Sequence, residues 1–288
     1  MSTVITDTKA CLIKDIGIVP YGDLALEGNK FSAFNGLRQG LVNHAITTAK
    51  PSMLEQSNGS VHLILPLSCP TKVTKDSQRN ALIMNISPHQ AAAIEWWAPG
   101  DGGYELAIRS SWYRDMPRFA AISKHVNFPH GSGLPGRCWA LGAPILVNDL
   151  QKSPRFLRGS GAINEGLRQA LALPVIYGNI LHGVLVILSG DQQPIIAHGE
   201  LWKPLPHNSG LQRVAMLAPQ CIGHTNEDAI DEMPIETLAA GDDDPVSQAW
   251  QQGEAQQGSD SVVAIPYFAG NEQRLILRLN TQRSNDDG

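Results

Sequence analysis

Two apolar runs that meet at Gly178-Asn179 constrain this chain more than any other feature: Gln169 to Tyr177 and Ile180 to Leu188. They read as a β-hairpin turned on the glycine–asparagine step. Neither arm alternates. Leu171-Ala172-Leu173 and Val184-Leu185-Val186 are apolar at consecutive positions, so both faces of the hairpin must be covered, by helices or by a partner. Each such side chain contributes roughly 1.5–3 kcal/mol when buried.

The hairpin closes a longer stretch, Phe128 to Gly190, that opens on Gly131, Gly133 and Gly136. These glycines lack Walker spacing and follow no strand directly, so they punctuate rather than cradle phosphate. Leu134 to Leu141 predicts a short helix that Gly142 ends, and Ile145 to Val147 a brief strand. A polar loop, Asp149 to Arg158 with Pro154 in it, leads to a helical turn at Ala162 to Leu167. Upstream, Ala91 to Ala98 and Tyr104 to Trp112 predict a hairpin around Gly100-Asp101-Gly102-Gly103, and Phe119 to His125 a helix.

Before the central stretch, Met1 to Lys30 reads as an irregular lead-in with one strand. Phe31 to Ala49 predicts a helix from Phe31, Phe34, Leu37, Leu41 and Ala45. Ser60 to Ser68 and Ala81 to Ile86 predict strands joined across the polar segment Pro70 to Arg79. The tail from Thr281 to Gly288 is polar and predicted to be disordered.

The same grammar recurs. IEWWAPGDGGYELAI, CWALGAP and ALALPVIYGNILHGVLVIL find counterparts in GELWKPLPHNSGLQRVAML, AWQQGEA and SVVAIPYFAGNEQRLILRL. The pairs Trp97/Trp202, Trp139/Trp250, Gly142/Gly253, Pro174/Pro266 and Gly178/Gly270 fall in one order. The first segment offers GLVNHAITTAKP and HLILPL but lacks the front hairpin.

Composition narrows the function classes. The 288 residues suit one large domain or two to three small ones, and 42% hydrophobic with 17% charged is ordinary for globular proteins. A net charge of −5, with no Lys/Arg cluster, argues against nucleic-acid and anionic-membrane partners. No apolar run approaches the ~20 residues of a membrane span, and the N-terminus does not read as a signal peptide. Cys11, Cys69, Cys138 and Cys221 are scattered without a CxxC, as expected of reduced thiols in a cytoplasmic protein. His125, His130 and Cys138 match no zinc spacing, so neither metal nor cofactor is expected.

On E-W-W-A-P…Y-E-L, G-S-G-L-P-G-R-C-W-A-L-G-A-P, N-D-L…F-L-R…G-L-R-Q-A-L-A-L-P-V and G-V-L-V-I-L-S-G, the segment Ala91 to Gly190 resembles a GAF domain, a small sensory domain. The resemblance implies an α+β fold of tandem GAF-like domains, each a central antiparallel sheet of five to six strands flanked by helices. The expected layout is a partial copy at 1–86, a GAF domain at 87–190, a degenerate copy at 196–283 and a disordered tail at 284–288. The cysteine followed by histidine that anchors a bilin is absent, as is the Asn-Lys…Phe…Asp-Glu pattern of phosphodiesterase GAF domains.

The resemblance places a small-ligand pocket under the region running from Trp139 through Asp149, Phe156 and Arg158 to Arg168. Arg158 and Arg168 suit a carboxylate or phosphate, or a salt bridge. Asp149 suits a ligand or a turn cap, and Trp139 and Phe156 a pocket wall or plain core. The third segment, with only Gln256 to Asp260 in the equivalent place, is expected to hold little pocket. The implied function is a non-enzymatic sensory or regulatory protein that binds a small ligand in its central domain and signals through a partner protein or dimer interface. Two alternatives stay open: a ligand-free scaffold for association, and a redox enzyme acting through Cys138.

Overall fold

The computed structural model describes residues 11–22, 34, 37, 39–68, 79–153, 156–221, 236–239, 243–258, 261–269 and 272–282. The predicted tail at 284–288, Phe31, Cys69, Pro154, Gly270 and nearly all of the 70–79 segment lie outside them.

Among the described residues, three antiparallel sheets follow one another along the chain. The first holds β1 (Ile13–Pro20), β2 (Ser52–Glu55), β3 (Val61–Pro66) and β4 (Asn80–Ile86) in the order β1-β4-β3-β2. The central sheet holds β5 (Ala92–Pro99), β6 (Glu105–Arg114), β7 (Phe128–Pro129), β8 (Ile145–Val147), β9 (Leu167–Tyr177) and β10 (Ile180–Gly190) in the order β7-β6-β5-β10-β9-β8. The third holds β11 (His198–Pro204), β12 (Gly210–Leu217), β13 (Thr237–Ala239), β14 (Gln256–Gln257), β15 (Val262–Ala269) and β16 (Glu272–Asn280) in the order β13-β12-β11-β16-β15-β14. The central and third orders are the same, and the first is that order without its second and third strands. This is the missing front hairpin of the first segment.

Register makes the repeat residue-specific. Trp97, Val184 and Pro174 form one cross-strand row in the central sheet. Trp202, Ile276 and Pro266 form it in the third, and Val19, Ala81 and Pro66 in the first. A bulge falls just before the tryptophan in both larger sheets, between Trp96 and Trp97 and between Leu201 and Trp202.

A helix precedes the strand after the crossover in each repeat: α1 (Gln39–Thr48), α3 (Gly133–Leu141) and α5 (Pro245–Gln252), while α2 (Pro117–Ser123) and α4 (Gly159–Asn164) belong to the central repeat. All three crossover helices end on a left-handed residue, Ala49 (φ 52°), Gly142 (φ 61°) and Gly253 (φ 67°). Gly142 N–H donates to Cys138 O at 3.0 Å and Gly253 N–H to Ala249 O at 3.0 Å. Only the first repeat puts a Cβ there. Ala49 is buried in the core where the sheets meet, so Ala49→Gly is expected to leave stability within about 1 kcal/mol of the parent: relief of the left-handed cost of alanine is offset by the entropy of glycine and by the lost burial of the methyl. Urea denaturation checks it, and a loss of more than about 2 kcal/mol would contradict the left-handed assignment.

Two expected helices are shifted. The first was predicted from Phe31, but α1 begins at Gln39. Phe34 and Leu37 are buried through a tighter turn, Leu37 N–H to Phe34 O at 3.0 Å, because three-residue spacing fits a 3₁₀ turn as well as an α-helix. The turn predicted over 162–167 is α4, which stops at Asn164; Gly166 (φ 69°) turns the chain so that Leu167 can pair with Gly190.

The both-sided apolar strands are explained by two layers. On one face of each sheet lie helices: α1 over the first, α2, α3 and α4 over the central, α5 over the third. On the other face the three sheets meet in one shared core, in which Leu63 and Leu82, Leu171, Leu185 and Ile187, and Val263, Leu277 and Leu279 pack together with Ile195 and Ile196 of the connector. The partner that covers each hairpin is thus the other repeats.

Candidate functional site

The central sheet alone carries a long insertion before its last hairpin, residues 148–166 between β8 and β9; the first sheet crosses 56–60 at this place and the third 258–261. Arg158, at the start of α4, turns inward from this insertion. Its Nη1 donates to Glu95 Oε1 at 2.5 Å and its Nη2 to Glu95 Oε2 at 2.7 Å. Nη1 also donates to Ser123 Oγ at 2.6 Å. The side chains of Arg158 and Glu95 are 1% and 0% exposed, so this bidentate pair is fully desolvated.

Four rings surround the guanidinium: Phe119 at 4.6 Å from the ring centre, Trp97 at 5.2 Å, Phe128 at 5.6 Å and Phe156 at 5.6 Å. Charge on an aromatic face is favourable, and more so when water is excluded. Glu95 is fixed independently of Arg158. Trp97 Nε1 donates to its Oε2 at 3.0 Å and the Tyr113 hydroxyl to its Oε1 at 2.9 Å. Strand alternation puts Glu95 and Trp97 on the helix side, while Ile94 and Trp96 face the shared core.

Burial alone would raise the Glu95 carboxyl, but the Arg158 charge, with hydrogen bonds from Arg158, Tyr113 and Trp97, holds it below its ordinary value. Burial and the nearby Glu95 charge push the Tyr113 hydroxyl up. Arg158 Nε is buried without a hydrogen-bond partner.

The other predicted residues lie elsewhere in the same region. Asp149 is buried; its Oδ1 accepts from the Gln151 and Lys152 amides at 2.9 and 3.3 Å, and it pairs with half-buried Arg168 at 3.2 Å. That is a turn cap with a charge partner. Nearby, Asn148 Nδ2 donates to Met216 O at 2.8 Å and Gln169 Nε2 to Ala218 O at 3.1 Å, tying the insertion's base to the third sheet. Trp139 is half-buried, edge-on to His130 at 4.9 Å. So Phe156 and Arg158 come together on Glu95, Asp149 and Arg168 form a second pair, and Trp139 is in neither.

Sequence reasoning missed Glu95, Trp97, Tyr113, Phe119, Ser123 and Phe128. A signal was present. The carboxylate inside AAAIEWWA reappears as Glu200 in GELWKP, and Trp202 Nε1 donates to Glu200 Oε2 at 3.0 Å as Trp97 does to Glu95.

Cys138 is fully buried, its thiol donates to Ala143 O at 3.3 Å, and burial pushes its pKa well above the ordinary value. That works against a thiolate nucleophile. His125 and His130 are exposed, and among the described residues no three His, Cys, Asp or Glu side chains are grouped to hold a metal.

An open cleft of about 630 Å³ lies between α3 and β8 on one side and β11, β12 and β16 on the other. Leu146, Leu201, Val214 and Leu275 are among its apolar walls, and its charged lining residues are Arg137 and Lys203.

Residues 85–201 match the family model described as GAF domain. No curated protein matches the chain. Among solved structures, the free methionine-R-sulfoxide reductase of Neisseria meningitidis with its substrate is 19% identical over 35% of this chain and 52% of that one, with a TM-score of 0.28. The GAF domain of a phosphoenolpyruvate-protein phosphotransferase from Coxiella burnetii is 21% identical over 34% and 56%, TM-score 0.29. A mutated NreA protein of Staphylococcus aureus is 20% identical over 37% and 78%, TM-score 0.31. The matched region spans about half the length of the first two.

Proposed function

With residues 85–201 forming a GAF domain, a fold of ligand-binding regulatory proteins, we propose that this protein is a non-enzymatic cytoplasmic regulator that takes a small amphipathic anion and signals through a partner protein or a second copy of itself. The observation that carries this reading is the cleft. It borders the GAF domain and the third sheet together, its walls are apolar, and Lys203 brings a positive charge to its lining. A ligand there touches two repeats at once. Its differential affinity for alternative packings of those repeats is what would shift their populations and reach a partner.

The interior of the GAF domain is occupied by its own Arg158, so Asp149, Phe156, Arg158 and Arg168 hold the insertion in place rather than line the open cleft. The scaffold alternative rests on association through apolar sheet faces or helices; the shared core uses the sheet faces within the chain, which leaves the helices for it. The redox alternative needs the Cys138 thiol, which is buried and whose pKa burial pushes up, and this favours the non-enzymatic reading. No helix among the described residues is long and apolar enough to cross a membrane.

Thermal shift with medium-chain carboxylates, aryl carboxylates and matched alcohols tests the reading. At a hundredfold excess over Kd the bound protein gains about 2.7 kcal/mol, a rise of several degrees. Val214→Trp, which fills the cleft, and Lys203→Glu, which reverses a charge, are expected to remove the response to carboxylates. A panel in which no carboxylate acts, or in which both variants respond like the parent, sinks the proposal.

A further inference from the structure

The Glu95 cage differs from its counterpart in the third sheet in where its cation comes from. Glu200 is neutralised from within the sheet, by Arg213 of β12 at 3.2 Å and Arg278 of β16 at 3.6 Å. Register identifies the positions those arginines would take in the central sheet. Arg213 pairs with Trp202 as Ile108 pairs with Trp97, and Arg278 pairs with Glu200 as Val186 pairs with Glu95. Both central positions are apolar. The central sheet therefore buries a carboxylate and supplies it with no cation of its own.

Everything else needed to receive one is present in the sheet and α2. Glu95 is oriented by Trp97 and Tyr113, Ser123 offers its hydroxyl oxygen, and Trp97, Phe119 and Phe128 form three aromatic walls. The guanidinium and the fourth wall, Phe156, arrive on the insertion that the other two repeats lack. The seated guanidinium is also incompletely satisfied, with its Nε buried and unpaired.

We propose that the Glu95 cage is a binding site for a guanidinium-bearing ligand and that Arg158 is its tethered occupant, which a free guanidinium compound displaces together with α4. The planar fork of two carboxylate oxygens selects guanidinium over a point charge, and the rings select a cation over a neutral isostere. This site is distinct from the open cleft and stands or falls separately from it. Tethering gives Arg158 an effective concentration of about millimolar or more, so a free competitor acts on the parent protein only at higher concentration.

The test uses the full chain and methylguanidinium chloride, with N-methylurea and sodium chloride as controls. Arg158→Ala is expected to melt below the parent and to recover most of that loss with 10 mM methylguanidinium (about the concentration that matches the tether), while N-methylurea does nothing. Glu95→Gln in the same background is expected to abolish the recovery. Recovery that is absent, or that persists without Glu95, overturns the site. Displacement is read on the parent protein, which does not depend on the variant folding. Methylguanidinium at about 50 mM, well above the tether, should speed amide exchange of residues 156–164 at least threefold over N-methylurea, with β9 unchanged. Equal exchange in the two solutes overturns the tethered-occupant assignment.

Discussion

Replacing Arg158 by methionine is expected to cost about 3–5 kcal/mol at neutral pH, the penalty for leaving a buried charge without its partner, and to make that cost depend on pH. In the parent protein the Glu95 carboxyl is held below its ordinary value. A carboxyl depressed by folding stabilises the folded state above its unfolded pKa, near 4.3, and the contribution is lost as pH falls through the folded value. In the variant the Arg158 charge and hydrogen bonds are gone and only burial remains as the dominant influence, which raises the carboxyl. The sign then reverses. The variant keeps its stability below the unfolded pKa and loses it as pH rises through the raised folded value.

The gap between parent and Arg158→Met should therefore be smallest near pH 4.5 and widen toward neutrality. Urea denaturation at three pH values between those limits reads it directly. Adding Glu95→Gln is expected to recover much of the loss at neutral pH, because removing both charges is cheaper than stranding one. A difference between parent and variant that stays constant with pH would mean that Glu95 does not carry the cost.

How far the sequence revealed this arrangement depended on whether the signal was local. The hairpin at Gly178-Asn179, the helix end at Gly142 and the order of Trp97/Trp202, Gly142/Gly253 and Pro174/Pro266 are short-range signals, and the register bears out the repeat they suggest. The apolar runs demanded cover on both faces, but periodicity could not say that three sheets cover one another. Glu95 was passed over because seven apolar neighbours dominate AAAIEWWA, and the residue that neutralises it lies 63 positions away. Arg158 was picked out as a ligand-binding candidate. Its target, an internal carboxylate, is a tertiary contact that no spacing encodes.

Gly136→Ala is expected to destabilise the protein by about 2–3 kcal/mol, the cost of overpacking against a surface that cannot yield. The sign is what makes this informative. Within a helix, glycine to alanine ordinarily gains close to 1 kcal/mol, and Gly136 sits in the middle of α3. A Cβ here would overlap the Pro129 carbonyl oxygen, a backbone atom rather than a movable side-chain tip. That carbonyl is held in place: Pro129 pairs with Glu105 across β6 and β7, and its oxygen accepts from the Ser132 amide at 2.9 Å. The added methyl must push α3 away from β7, whose Phe128 is a wall of the Glu95 cage. Gly131→Ala provides the comparison. It has open space and only its left-handed backbone (φ 80°) to oppose alanine, so it should cost less, about 1–2 kcal/mol. Chemical denaturation that ranks Gly131→Ala as the more damaging, or shows Gly136→Ala gaining stability, would mean that the glycine-rich approach does not depend on close contact between α3 and β7.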